Sequence, residues 1–306
     1  MGAGHAHGRS LSAGGAHRRR LVTVLGVTSV VLVAEVVGAL LTDSLALLAD
    51  AGHMLTDVAG IGLAVLAVTL SARPATLERT FGYYRLEILA AVVNAVLLLA
   101  VAGFILVEAA RRWSDPPAVE GGLMLVFAVV GLVGNGVGLL LLRSGSKESL
   151  NVKGAYLEVL GDTLGSVAVI AAAVVIATTG WLRADAVASV AVALMILPRT
   201  WLLLREAVDV LLEATPKGMD LGVVRRHILD LPGVVDAHDL HVWTLTSGLP
   251  VLSVHVVVDD DVLRDGTGGV VLDALGHCLD DHFDVAHCTF QLEPVGHAEH
   301  ERGAHP

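Results

Sequence analysis

Apolar residues gather in six long runs: Leu21 to Leu41, Leu45 to Leu70, Tyr84 to Trp113, Val119 to Leu142, Val152 to Thr179 and Leu182 to Leu204. A hydrocarbon layer about 30 Å thick takes about 20 apolar residues in a helix, so each run predicts a transmembrane helix. Polar or helix-breaking residues separate them: Thr42-Asp43-Ser44, Arg73-Pro74, Asp115-Pro116-Pro117, Arg143-Ser144-Gly145-Ser146 and Gly180. Beyond Arg205 the runs shorten and alternate. A helix is expected from Asp220 to Leu231, strands at Val234–Leu245 and Val251–Val258, a helix from Gly269 to Phe283 and a last strand from Val285 to Glu293. That order fits a small ferredoxin-like α/β unit. The expected organisation is an N-terminal tail over 1–20, a six-helix membrane domain over 21–205, a ferredoxin-like domain over 206–295 and a flexible, histidine-containing tail over 296–306.

Positive charge orients the bundle. Arg18, Arg19 and Arg20 precede the first run, Arg73, Arg79 and Arg85 lie in the second connection, Arg143, Lys147 and Lys153 in the fourth, and Arg199, Arg205 and Lys217 at the exit. The other side offers only Arg111, Arg112 and Arg183, so both termini are expected in the cytoplasm. The first run is long and lacks a convincing cleavage site after its arginines, so it reads as a retained helix rather than a signal peptide. The plasma membrane is the expected location.

Composition agrees, with apolar residues at 54% and a mean hydropathy of +0.71. Charge divides unevenly along the chain. Through Arg205 the balance of basic over acidic residues is +2, and from Glu206 onward it is −13. The acidic excess excludes nucleic acid as a partner and suits divalent cations. Cys278 and Cys288 lack Cys-x-x-Cys spacing and are expected as reduced thiols.

Two pairs of metal-capable side chains lie inside the apolar runs: His53 with Asp57, and Glu158 with Asp162, each four residues apart. That spacing sets both members of a pair on one helix face, about one turn apart. Ionisable groups in hydrocarbon cost several kcal/mol each, so a chain keeps them there to pair with other charges or to move ions. The second run heads inward and the fifth outward, so the four groups reach similar depth and read as one transport site with one nitrogen and three carboxylate donors. Within residues 21–205, His53 is the only histidine. Asp50, on the same face, is a candidate supporting group or a ligand on the ion's way in. Asn94 and Asn135 suit hydrogen bonds between helices. Glu35 and Glu108 have no partner that the sequence names, and Arg85 and Glu87 are expected to make charge contacts near the cytoplasmic start of the third run. No His-Glu-x-x-His or similar hydrolytic constellation is present, which argues against an intramembrane metalloprotease, and the expected role is not that of an enzyme. Aromatic residues at 4% are too few to line an organic-cation cavity.

The string Ser44-Leu-Ala-Leu-Leu-Ala-Asp50-Ala-Gly-His53-Met-Leu-Thr-Asp57 resembles the second-helix signature of the cation diffusion facilitator family, in its zinc/cadmium/cobalt efflux branch. Four further strings agree in order: Arg79-Thr-Phe-Gly82-Tyr-Tyr-Arg85-Leu-Glu87, Asn151-Val-Lys-Gly-Ala-Tyr156-Leu, Gly161-Asp162-Thr-Leu-Gly-Ser166 and Asp239-Leu-His241-Val-Trp243-Thr. The resemblance implies six transmembrane helices, a cytoplasmic ferredoxin-like domain, a homodimer formed through that domain, and export of a divalent metal, Zn²⁺ first, in exchange for protons. Ligands must lose protons to bind metal, so metal and protons compete for His53, Asp57, Glu158 and Asp162. Zinc exporters of the family place a second histidine where this chain has Glu158. The harder, more negative donor set leaves open a preference for Mn²⁺, Co²⁺ or Fe²⁺ over Zn²⁺ or Cd²⁺.

The resemblance also implies a regulatory metal held in the cytoplasmic domain by His238, His255 and Glu293. His241, His287 and Cys288 are secondary candidates there. His5, His7, His17, His297, His300 and His305 lie sparsely in the tails and suit at most weak metal scavenging. A membrane metal sensor without transport would carry the same side chains and is the remaining alternative of another class.

Overall fold

The computed structural model describes residues 8–71, 74–143, 150–246, 248–285 and 287–300. His5, His7 and His305 lie outside them, as do Arg73, Lys147 and residues 144–146. The chain divides into two compact units: residues 1–65 with 91–204, and residues 66–90 with 205–306.

The first unit is built from α1 (Gly8–Thr42), α2 (Leu45–Ser71), α3 (Leu86–Ser114), α4 (Gly121–Arg143), α5 (Leu150–Thr179) and α6 (Arg183–Leu211), of which α2, α3 and α6 also contribute to the second unit. Among the described residues, five of these helices are long and apolar enough to cross a membrane: α1 from Val22, α3, α4, α5 from Ala155, and α6. The helices follow the six apolar runs, with α1 beginning at Gly8, ahead of its run. Their outward faces stay apolar, as with Val30, Leu40 and Leu140, each more than two-thirds exposed, which suits lipid and not water.

The helices end where the backbone must turn. Asp43, with φ of 53°, stops α1, and Gly180, with φ of 69°, stops α5. Small residues then set how near the helices come. Cβ atoms at Gly131 and Gly134 of α4 would strike Glu35 and Val31 of α1, so these glycines permit the close approach of the two helices. Buried alanines continue the seam: Ala39 of α1, Ala128 of α4, and Ala172 and Ala173 of α5 share one core with Leu47 and Met124.

One polar joint fixes the start of α2. Asp185, 2% exposed in the first turn of α6, accepts a hydrogen bond from the Ser44 hydroxyl at 2.6 Å and from the backbone N–H of Leu45 at 2.8 Å and Ala46 at 3.2 Å. Free N–H groups at a helix start are unsatisfied and favour negative charge, so a buried carboxylate from a distant helix serves as the cap.

In the second unit, α7 (Leu221–Leu229) starts at Asp220, whose carboxylate accepts from the N–H of Gly222 and Val223. Then come β1 (Val234–Thr246), β2 (Leu249–Val258), the short α8 (Asp260–Arg264), α9 (Gly268–Phe283) and β3 (His287–Pro294). β1 and β2 pair antiparallel, and β3 pairs parallel to β2, giving the order β1-β2-β3. A parallel return needs a crossover, which α9 supplies. Val224 and Ile228 of α7, Val271, Leu275 and Leu279 of α9, and alternate strand residues such as Leu252, Val254 and Val256 close one core. A helical membrane bundle with a small α/β domain is therefore the fold, as the pattern predicted. α8 and a short 3-10 helix at His297–His300 were not foreseen, each too short to show a period.

Residues 66–90 belong to this unit. Arg85 pairs with Glu213 at 2.6 Å, and Glu87 accepts a hydrogen bond from the Thr246 hydroxyl. Arg85 thus makes the charge contact expected of it, and Glu87 meets a neutral hydroxyl.

Candidate metal centres

The spacing of α2 and α5 does what helical geometry requires. Nε2 of His53 lies 3.5 Å from Asp57 Oδ2 on its own helix and 3.4 Å from Asp162 Oδ1 on α5. One donor atom from each of the three residues falls within 4.8 Å of the others. A tetrahedral ion with bonds of 2.0–2.1 Å separates its ligands by about 3.3 Å, so the two gaps match the spacing of donors that could share one ion. They are too long for good hydrogen bonds, and Asp162 Oδ1 and His53 Nδ1 have no hydrogen-bond partner among the described residues. The three line a cavity of ≈ 200 Å³ shared with Asp50, Asn94, Glu158 and Arg199.

Glu158 lines the same cavity but stands outside the three-donor cluster. Its Oε1 pairs with Arg199 of α6 at 3.2 Å. Arg199 is the residue that sequence reasoning missed at this site. It was counted among the charges at the exit, and its signal was an arginine one position after Pro198, within an apolar helix. Asp50 is 2% exposed, lines the cavity, and accepts a long hydrogen bond of 3.5 Å from Ser166, which itself receives one from Asn135 at 3.2 Å. Asn135 thus links α4 to α5 as expected. Asn94 packs against Gly60 of α2, and its Oδ1 has no partner among the described residues. Glu108 does have partners, Arg112 at 3.2 Å and Arg111 at 3.7 Å, while Glu35 has none for either oxygen among the described residues.

A second cluster lies in the α/β unit. β1 and β2 pair His238 with His255 directly, and β3 brings Glu293 beside Val257 on the next strand. Glu293 is 1% exposed; its Oε2 lies 3.1 Å from His238 Nε2 and its Oε1 2.8 Å from His255 Nδ1. Among the described residues, these three are the other group of three donors near enough to hold one ion. Gln291 also donates to Glu293 at 2.8 Å. His241 turns to Asp239 at 3.1 Å, His287 sets its ring edge-on to Phe81 with centroids 5.5 Å apart, and Cys288 Sγ donates to the Val285 carbonyl, so none of these joins the cluster. Burial and the nearby Asp280 push the Cys288 thiol up to about 11, which leaves little thiolate to serve as a soft ligand at neutral pH. Of the tail histidines, His297 and His300 lie in a short 3-10 helix.

His255→Ala is expected to weaken metal binding at this second cluster by about 10–100-fold, because it leaves Glu293 with one imidazole. Equilibrium dialysis of the full-length protein should show one metal equivalent shifting to lower affinity. An unchanged isotherm would mean that the trio is only a hydrogen-bonded network.

Buried donors among apolar helices, joined to an α/β domain with its own donor trio, define the class: an integral membrane protein that handles metal cations. The family description "Cation efflux transmembrane domain" matches residues 21–212, and "Cation efflux protein, cytoplasmic domain" matches residues 216–295. The chain is 49% identical over 293 residues to the metal cation efflux system protein CzcD of Cupriavidus metallidurans, covering 96% of this chain and 90% of the relative. It is 44% identical to the zinc transporter ZitB of Escherichia coli, and 39% identical to a cadmium, cobalt and zinc/H⁺-K⁺ antiporter of Bacillus subtilis, each match covering 96% of this chain and 93% of the relative. A solved metal-bound C-terminal domain of CzcD is 47% identical, covering 24% of this chain and 99% of that one at a TM-score of 0.22. The chain belongs to the cation efflux family, the cation diffusion facilitators, as its five sequence strings indicated.

Proposed function

We propose that the protein exports Zn²⁺ from the cytoplasm in exchange for protons, through a site made by His53, Asp57 and Asp162 with Glu158 as the fourth candidate ligand. The observation that carries this reading is the donor geometry: one imidazole and two carboxylates from α2 and α5 at 3.4 and 3.5 Å. When ionised, the two carboxylates balance a +2 ion. Such a site suits zinc, the metal in the names of several relatives. Protons reaching the same carboxylates and imidazole release the metal, which makes the exchange a competition for one set of atoms. Both termini face the cytoplasm of a plasma-membrane homodimer that associates through the α/β domain, whose His238, His255 and Glu293 hold a regulatory metal. Crossing of the membrane by α2 belongs to this reading.

Glu158 decides the second reading, a preference for Mn²⁺, Co²⁺ or Fe²⁺. Its pairing with Arg199 offsets the charge that would favour harder ions, so zinc stands first. The test is metal and proton flux in sealed proteoliposomes for Zn²⁺, Cd²⁺, Co²⁺, Mn²⁺ and Fe²⁺, comparing the parent with Glu158→His. Zinc and cadmium flux are expected to survive and to gain over manganese by about tenfold, a shift of about 1.4 kcal/mol in discrimination. Absence of flux with any ion while metal still binds would leave a sensor.

A further inference from the structure

Two histidines of the α/β unit that stand outside the sheet trio meet at its surface. His227, half-buried, lies in the last turn of α7, and His282, exposed, in the last turn of α9, with ring centres 5.1 Å apart. In each ring Nδ1 faces the carbonyl four residues back, that of Val223 for His227 and that of Cys278 for His282, both at 3.0 Å. A carbonyl only accepts, so Nδ1 carries the proton in both neutral rings and Nε2 presents a lone pair. Neither Nε2 has a hydrogen-bond or ion-pair partner among the described residues. Phe283 sets its ring edge-on to His227 with centroids 5.0 Å apart, which holds that imidazole in place.

An imidazole whose Nδ1–H is held by a carbonyl while Nε2 stays bare is in the form that binds metal. Two such rings joined through Nε2 to one tetrahedral ion, with bonds of about 2 Å, stand with their centres about 5.2 Å apart. The separation of His227 and His282 matches that figure, as does the 5.2 Å between the rings of His238 and His255. Helix C-termini carry partial negative charge, so the last turns of α7 and α9 favour a cation where the rings meet. Asp280, Asp281 and Asp284 line a surface cleft together with His282 and add to that field. The pair is also separate from the trio. Ile228 of α7 and Leu275 and Leu279 of α9 share a core with Val254 and Val256 of β2, whereas His255, between those two valines, points to the other face of the sheet.

We propose that Nε2 of His227 and Nε2 of His282 form a metal seat of their own on the helical face of the α/β domain, which takes a divalent transition metal such as Zn²⁺ or Ni²⁺ with water completing its shell. Imidazole nitrogen suits these ions, and a seat without a carboxylate ligand gives little hold on Mg²⁺ or Ca²⁺. With two protein ligands it binds more weakly than the trio and fills at higher metal concentration. The bound ion ties the end of α7 to the end of α9, so the domain stiffens as metal rises. Nothing in this seat depends on whether the protein exports metal.

The test is zinc binding to the full-length protein in detergent, read by equilibrium dialysis and by backbone amide exchange with mass spectrometry. The parent is expected to bind one equivalent beyond those lost in His53→Ala and His255→Ala, and zinc should slow amide exchange across residues 221–229 and 276–283. Mg²⁺ at the same concentration should not. His282→Gln removes one nitrogen from an exposed position and keeps the surface polar. It is expected to weaken the extra equivalent by at least about 10-fold and to abolish the slowing in both helices, while the equivalents that depend on His53 and His255 keep their parent affinities. His227→Gln should give the same result. An unchanged isotherm in His282→Gln, or zinc-dependent slowing in α7 and α9 that persists there, overturns the seat. Should one variant fail to fold, shown by fast exchange without metal, the other decides. A parent in which zinc slows neither helix at any concentration overturns the seat without a variant.

Discussion

Asp162→Ala should lower zinc flux in sealed proteoliposomes by more than about 100-fold, since groups that merely support metal ligands already cost 10–100-fold when removed. Asp162 is 4% exposed, and its Oδ1 faces the His53 imidazole at 3.4 Å with no hydrogen bond of its own. No other α5 carboxylate can replace it, because Glu158 is drawn to Arg199. Asp57→Ala should fall as far, since it supplies the other oxygen, at 3.5 Å. Asp162 Oδ1 has no hydrogen-bond partner among the described residues, so its removal strands no partner there and Asp162→Ala is expected to stay folded and monodisperse. Flux within a few-fold of the parent in either would remove that residue from the site.

Asp185→Ala should act in the opposite sense, on stability first. It strips the N–H groups of Leu45 and Ala46 and the Ser44 hydroxyl of their buried acceptor. Each of the three stranded donors costs about 1–3 kcal/mol, so together they cost at least roughly 3 kcal/mol. For a chain of this size that is a fall of at least about 6 °C in thermal midpoint in detergent, with Asp185→Asn falling less because its amide oxygen still accepts. A midpoint unchanged in Asp185→Ala would show that water or Ser44 alone satisfies the start of α2.

The bundle was legible because its signals are local. Apolar runs give the helices, and an i to i+4 spacing gives the pairs His53/Asp57 and Glu158/Asp162 without any knowledge of packing. The partner of Glu158 depends on how α6 is rotated, which no period in an apolar helix records, so Arg199 was read as an orienting charge and not as a contact. Glu35 stood out as an acid without a partner that the sequence names, but its burial against α4 needed the close approach that Gly131 permits. In the α/β domain, strand alternation alone did not decide which histidines converge. The register of β1 shifts between His238 and His241, where Asp239 takes a φ of 50°, and Glu293 arrives through a parallel pairing that only the crossover sets. The trio His238, His255 and Glu293 was therefore reached through family likeness, and its geometry through the fold.

The cap that Asp185 places on α2 turns that helix into a lever. With its first turn pinned to α6, the segment carrying His53 begins eight residues away, about 12 Å along an axis rising 1.5 Å per residue. A tilt of about 5° about the pinned end displaces the helix by about 1 Å at His53 and about 1.6 Å at Asp57 relative to α5, half the length of a zinc–ligand bond or more. Small angles at that joint would thus change the spacing between the proposed donors of α2 and Asp162 of α5.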